Sequence, residues 1–243
     1  RRRMLAELDS RLAPRFHETF NADPVTIYDV GAAGGAITPY PDGPAAWAPV
    51  EGFEPHPVSF QNLVDAGTLE HVTLHNLALT NKDGPITFYA GRSKQRTKSS
   101  LRSIEYLGSE SDEITINALK LDSAPRQLGI RPANFIKLDT EGTEDLVIQG
   151  GERMFADDIL GVHTEVGFWT EQSRGVPFSQ IDSHLTSRGF VLFDLQINRS
   201  DIRVLGGRKD KVRSGDALYF RSFDHLWSPN GDQAALRSKL LKL

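Results

Sequence analysis

The sequence predicts an α/β fold with a mainly parallel central sheet, an antiparallel final strand pair and helices on both faces. Three observations lead there. Short β-branched apolar runs recur along the chain and end in small or acidic residues, as buried parallel strands do where they feed loops at one sheet edge. Helix-spaced segments separate those runs, so strand and helix alternate. The last two strand-like runs are close enough in sequence for an antiparallel return.

Composition narrows the function. With 243 residues, 39% of them hydrophobic, the chain can bury one sizeable core. The expected organisation is a domain over 25–222, preceded by an amphipathic helix within 1–24 and followed by a closing helix within 223–243. A net charge of −4 gives no global footprint for nucleic acid. The absence of cysteine excludes disulfides, thiolate metal sites and a cysteine nucleophile. No apolar run is long enough to span a bilayer, and the basic start is not followed by a secretory apolar core, so a cytoplasmic location is expected. The sequence opens at Arg1 without methionine and reads as processed, trimmed or partial.

In chain order, Leu5, Leu8, Leu12 and Phe16 fall at helical spacing and mark the first helix. Val25 to Val30 is a buried strand that ends at once in Gly31, Ala33, Gly34 and Gly35, small residues that leave room for a ligand against the backbone. Asp29 near the end of that strand can bond a ligand ammonium or the turn amides. A dinucleotide cradle places glycines as G-x-G-x-x-G; the order Asp29-x-Gly31-x-Ala33-x-Gly35 differs, and its acidic start with looser glycines is similar to the first motif of S-adenosylmethionine-dependent methyltransferases. Pro39, Pro41, Pro44 and Pro49 then forbid a long regular helix. The next strand, Val50 to Phe53, ends in Glu54, at the distance where nucleotide-binding folds keep a carboxylate for ribose hydroxyls.

Pro57 to Ala66 reads as a short helix and Val72 to Leu79 as a third strand, with Leu77 and Ala78 placed to lie against an adenine. Arg92, Lys94, Arg96 and Lys98 form a basic loop that is either solvated or grips an anionic or sugar-rich substrate. Ile114 to Leu121 alternates as a strand, and Asp122 and Ser123 open a short helix toward Leu128. Asn134 to Asp139 is the strongest buried strand after the first; Asp139 and Glu141 gather at its end, where a helix follows until Gly150 and Gly151. Leu160 to Val166 carries His163, which reads more readily as a structural residue than as a base, and Glu165, costly to bury unless paired or used. Phe168 and Trp169 can floor a sugar site or complete the core. Phe178 to Arg188 is a helix, Phe190 to Leu195 and Ala217 to Phe220 the closing strands, and Leu236, Leu240 and Leu243 mark a tail helix that packs on the core or on a second subunit in a homodimer.

Taken together, the glycine turn, Gly52-Phe53-Glu54-Pro55, Ser99-Ser100-Leu101, Leu121-Asp122-Ser123, the run Phe135 to Glu144, Gly189-Phe190 and Asp216-Ala217-Leu218 resemble the FkbM family of methyltransferases in their order. The resemblance covers roughly residues 25 to 220, and the proline-broken segment after Gly35 departs from the family's commoner form. It implies a Rossmann-like class I methyltransferase fold, S-adenosylmethionine as donor and a hydroxyl as acceptor, on a glycan or a small-molecule secondary metabolite. By the same resemblance Asp29, Gly31, Ala33 and Gly35 surround the methionine part of the cofactor, Glu54 takes the ribose, Leu77 and Ala78 the adenine edge, and Asp139 faces the reacting methyl.

A hydroxyl is a poor nucleophile, so a base or a metal is expected to take its proton. Asp139, Glu165, Glu141 and His163 are the candidates, the first two ranked ahead of His163. Clustered carboxylates can also hold Mg²⁺, a role not assigned to them here. Rival readings on the same fold are a nicotinamide-dependent oxidoreductase and a binding module without turnover. A nucleic-acid methyltransferase lacks the basic, aromatic-interleaved stripe it would need.

Overall fold

The computed structural model describes residues 23–33, 48–67, 72–92, 99–102, 111–168, 175–197, 204–205, 208–209, 212, 214–226 and 239. The expected helices at 1–24 and beyond Asp232, the proline-rich segment with Gly35, the cations Lys94, Arg96 and Lys98, and Trp169 all lie outside those residues, apart from Lys239.

Seven strands form the central sheet: β1 (Ile27–Val30), β2 (Val50–Phe53), β3 (Val72–His75), β7 (Phe135–Leu138), β8 (Gly161–Gly167), β9 (Phe190–Ile197) and β12 (Ser214–Arg221). Their spatial order is β3-β2-β1-β7-β8-β12-β9. The first five are mutually parallel, while β12 runs antiparallel to both β8 and β9. A mainly parallel sheet with an antiparallel final pair is therefore what the chain builds. Strand order reverses between β1 and β7, and ligands bind such sheets in the crevice that the reversal opens at the carboxyl edge.

Alternation along β1, β7 and β8 divides the sheet's two faces. Tyr28, Val30, Ile136, Leu138, Val162 and Val166 are buried in the main core, which also holds Phe155, Ile181 and Phe190. Each such side chain contributes about 1.5–3 kcal/mol on burial. Ile27, Val50 and Phe135 begin the opposite face in a smaller apolar cluster. Two residues further along β1 and β7, that face turns polar, with Asp29 beside Lys137 and Lys137 beside His163 of β8 in register.

Val72 to Leu79 is not one strand. It stops at His75 and resumes as β4 (Ala78–Thr80), which joins β5 (Gly84–Gly91) and β6 (Ser111–Lys120) in a separate three-stranded sheet ordered β4-β6-β5, while β10 (Val204–Leu205) and β11 (Arg208–Lys209) form an antiparallel pair of their own. Asn76 makes the break, because its side-chain amide donates to the Glu54 and Pro55 carbonyls at 2.8 and 3.3 Å while Leu77 N–H turns back to His75 O at 3.0 Å. The small sheet meets the main body at Gly150, where any Cβ would collide with the Thr80 carbonyl.

The helices are short. α1 (Pro57–Ala66) is capped by the His56 ring, which accepts from Val58 and Ser59 N–H. α2 (Ala124–Leu128) follows Asp122 and Ser123 as expected, but the Asp122 carboxylate serves a different helix: its oxygens accept from Arg153 and Met154 N–H at 2.9 and 2.8 Å. That caps α4 (Glu152–Asp157), which follows α3 (Glu144–Gln149) after the glycine pair. α5 (Phe178–Thr186) buries Ile181 and Leu185, and α6 (Phe223–Leu226) ends the described run. Among the described residues no helix is long and apolar enough to cross a membrane.

Candidate functional site

The loops that leave β1, β2 and β7 converge on a cavity of about 180 Å³. Gly31 opens it with φ of +90°, a conformation that side chains rarely adopt. Its N–H donates to Phe53 O at 3.0 Å, and Asp139 N–H donates to Val30 O at 2.9 Å, so the exits of the three strands are tied together through backbone. A Cβ at Gly31 would overlap the Asp139 carbonyl.

Of the residues singled out in the sequence, Gly31, Ala33, Glu54, Leu77, Ala78, Asp139 and Glu141 lie in the cavity wall. Leu77 and Ala78 do so because the chain breaks after His75, and with Leu79 and Phe88 they make the apolar side. Asp29, His163 and Glu165 lie outside the wall. Asp29 is fully buried, and the ammonium it meets is internal: Lys137 Nζ donates to its Oδ1 at 3.0 Å. Lys137 also stands 3.4 Å from Asp139 Oδ2.

Glu54 is 3% exposed, and its Oε1 accepts the His56 N–H at 2.7 Å. Among the described residues no cation pairs with it. Burial, with Asp29 and Asp139 nearby, pushes its pKa up to about 7, against a lowering by the His56 amide and by the more distant Lys137 charge. Glu165 is pushed up to about 8, first by burial and then by Asp139, Glu141, Glu144 and Asp216. Burial holds the His163 ring below its ordinary pKa, opposed by Asp216, whose Oδ1 is 3.7 Å from Nε2.

These carboxyls make a pH prediction. A carboxyl whose folded pKa lies above its unfolded one binds a proton in the native state that the unfolded chain has released, so stability falls as pH rises from the unfolded value through the folded one. For Glu54 that window runs from 4.5 to about 7 and for Glu165 from 4.5 to about 8. The ligand-free protein is expected to melt at a higher temperature near pH 5.5 than near pH 8.5, with Glu54 contributing on the order of 1–3 kcal/mol. Calorimetric scans check this, and Glu54→Gln should remove part of the difference.

The loop after β7 holds an unusual backbone. Glu141 has φ of +54° and Gly142 +91°. Three groups enforce it. Glu144, buried at the start of α3, accepts with one oxygen from Thr140 N–H at 2.9 Å, the Thr140 hydroxyl at 3.0 Å and Gly142 N–H at 3.2 Å. Ser100 donates its hydroxyl to Glu141 O at 3.0 Å, and Arg102 donates to Gly142 O and to Asp145 Oδ2, each at 2.8 Å. Residues 99–102 thus strap the small sheet to the acidic loop; Ser100 pairs with Tyr89 on β5, and Ser99 and Leu101 close the cavity. Of the basic loop, Arg92 is ion-paired with Asp112 on the surface. Phe168 packs against the Phe178 ring at 5.3 Å, which favours its role in completing the core.

Lys137, Glu144 and Arg102 were not picked out in the sequence as site residues. The first had a signal, a lysine inside an otherwise apolar strand two positions before Asp139 and on the same face. Arg102 had none, since its partners are 40 and 43 residues away. Among the described residues no group of three or more His, Asp or Glu is arranged to hold a metal ion.

A sequence model of the methyltransferase FkbM domain matches residues 29–192, a span that runs from Asp29 at the end of β1 and contains Glu54 and the whole acidic loop. The chain belongs to the FkbM methyltransferase family. Solved structures similar to this FkbM chain include an FkbM methyltransferase from Methylobacillus flagellatus, 17% identical, covering 81% of this chain and 43% of that one with a TM-score of 0.44. The magnesium protoporphyrin IX methyltransferase of Synechocystis, solved with S-adenosylmethionine bound, is 9% identical over 88% of this chain and 79% of its own, with a TM-score of 0.45. An S-adenosylmethionine-dependent methyltransferase from Anabaena variabilis is 10% identical, with coverage of 88% and 84% and a TM-score of 0.45. The chain thus spans less than half of the Methylobacillus protein. No curated protein matches it. Membership of the FkbM family and the strand order agree on a Rossmann-like methyltransferase fold.

Proposed function

We propose that this FkbM chain transfers a methyl group from S-adenosylmethionine to a hydroxyl oxygen, on a saccharide or a secondary metabolite. The observation that carries the reading is Glu54: a carboxylate buried in the cavity wall at the end of β2, paired with no cation among the described residues and flanked by apolar side chains. Burial of an acid without a counter-charge in contact is costly, and a ribose diol supplies the two hydroxyl donors that would repay the ionised form. Leu77, Ala78 and Phe88 give an adenine its apolar contact, and Gly31 and Ala33 leave space for the amino-acid end.

The sulfonium supplies the methyl group. This chain's residues have to hold an acceptor oxygen in line with it, and such positioning is worth about 7–11 kcal/mol. Asp139 at the cavity rim is the group assigned to take the hydroxyl proton. Glu165, protonated over much of the neutral range, suits donating a hydrogen bond to the acceptor. His163, its pKa lowered by burial, faces Asp216 on that same face.

Calorimetry with S-adenosylhomocysteine tests the cofactor assignment. A ligand that bonds to ionised Glu54 lowers its pKa, so affinity should rise with pH until about 7 and then level off. Glu54→Gln should weaken binding about tenfold or more, the weight of a charge-assisted hydrogen bond, and flatten the pH dependence. Tight binding of NAD with none of S-adenosylhomocysteine would overturn the assignment.

A further inference from the structure

Asp29 stands on β1 and Asp139 immediately past the end of its parallel neighbour β7, and one ammonium lies between their carboxylates. Lys137 Nζ is 3.0 Å from Asp29 Oδ1 and 3.4 Å from Asp139 Oδ2. The three are unequal in exposure: the side chain of Asp29 is sealed at 0%, that of Lys137 is 13% exposed, and that of Asp139 is 43% exposed at the cavity. The arrangement runs from a buried anchor through a bridge to a working end. Register fixes it, because Asp29 faces Lys137 across β1 and β7, and Asp139 follows two residues later on the same face.

We infer that Lys137 is a positioning residue: anchored by Asp29, it fixes the Asp139 carboxylate toward the place where the transferred methyl would lie. Asp29 then acts on the site through Lys137 and not by touching the cofactor, which is the opposite of what its position in the glycine motif suggests. This rests on the proposed cofactor site. A lysine that only neutralised Asp29 would need no second carboxylate within reach, and a free Asp139 would sample rotamers at a solvent-exposed rim. Burial costs the Lys137 ammonium, yet Asp29 and Asp139 together hold its pKa above the ordinary value, so it stays charged across the neutral range.

The test needs no knowledge of the acceptor. Sinefungin carries a protonated amine where S-adenosylmethionine has its methylsulfonium, whereas S-adenosylhomocysteine is neutral there; the ratio of their Kd values reads whether a carboxylate is aimed at that point. The double substitution Asp29→Asn/Lys137→Met removes one charge of each sign, so it leaves net charge unchanged and strands no buried ion. The intact protein should prefer sinefungin. Asp139→Asn should lose that preference, and the double variant should lose it about fivefold or more while keeping its melting temperature and its affinity for S-adenosylhomocysteine. Lys137→Arg, which keeps the cation, should retain part of it. If the intact protein prefers sinefungin and the double variant keeps the full preference, Lys137 is merely a counter-ion for Asp29 and the inference falls alone. Should the intact protein bind neither compound, the cofactor assignment falls and takes this inference with it.

Discussion

Replacing Gly31 with alanine is expected to destabilise the protein by about 3–5 kcal/mol and to abolish binding of S-adenosylhomocysteine. Two costs combine. A φ of +90° at this position strains any side-chain-bearing residue, worth about 1–3 kcal/mol. The added methyl also drives into the Asp139 carbonyl, which cannot retreat because Asp139 N–H is bonded to Val30 O; overpacking against fixed backbone costs about 1–3 kcal/mol more. For a domain of this size the loss lowers the melting temperature by about 10 °C. Denaturant titration and calorimetry check the two halves separately. A variant that melts normally and binds normally would show that the β1 and β7 exits are not locked as described.

Glu144→Ala is the second large effect, at about 3–5 kcal/mol. One Glu144 oxygen serves two amides and a hydroxyl in the loop that carries Asp139 and Glu141, and buried donors left without an acceptor cost about 1–3 kcal/mol each, with incomplete additivity. Glu144→Gln supplies the contrast. Its amide oxygen can accept the same bonds, and it spares the desolvation that pushes the buried acid's pKa up. It should therefore remain within about 1 kcal/mol of the parent. Equal destabilisation by both substitutions would mean that charge, not acceptor geometry, holds the loop.

Strands were legible where apolar alternation is strong. β1, β7 and β8 begin and end within a residue or two of the expected limits, because each is a β-branched or aromatic run bounded by small or acidic residues. The break at His75 was not legible. Leu77, Ala78 and Leu79 continue the apolar pattern without interruption, and the turn depends on Asn76 reaching carbonyls 21 and 22 residues back. The second sheet was hidden for the same reason, since pairing of β4 with β6 joins Ala78 to Ala118 and no local signal encodes it.

Of the site, Glu54 and the Asp139 loop could be located because a carboxylate directly after an apolar strand is rare without a purpose. The pairing of Asp29 with Lys137 could not be read, because the two lie 108 residues apart. The left-handed backbone at Glu141 was also invisible. Non-glycine residues adopt it seldom, and here it depends on Ser100, Arg102 and Glu144, which no short motif links to it.

The polar face of the central sheet has one more effect. If β7 slid by a single residue against its neighbours, Lys137 and Asp139 would enter the oily interior while Ile136 and Leu138 came out to the ligand's crevice. This polar row thereby makes misaligned sheets prohibitively costly, and a variant with the whole row neutralised should lose uniqueness of alignment before it loses compactness.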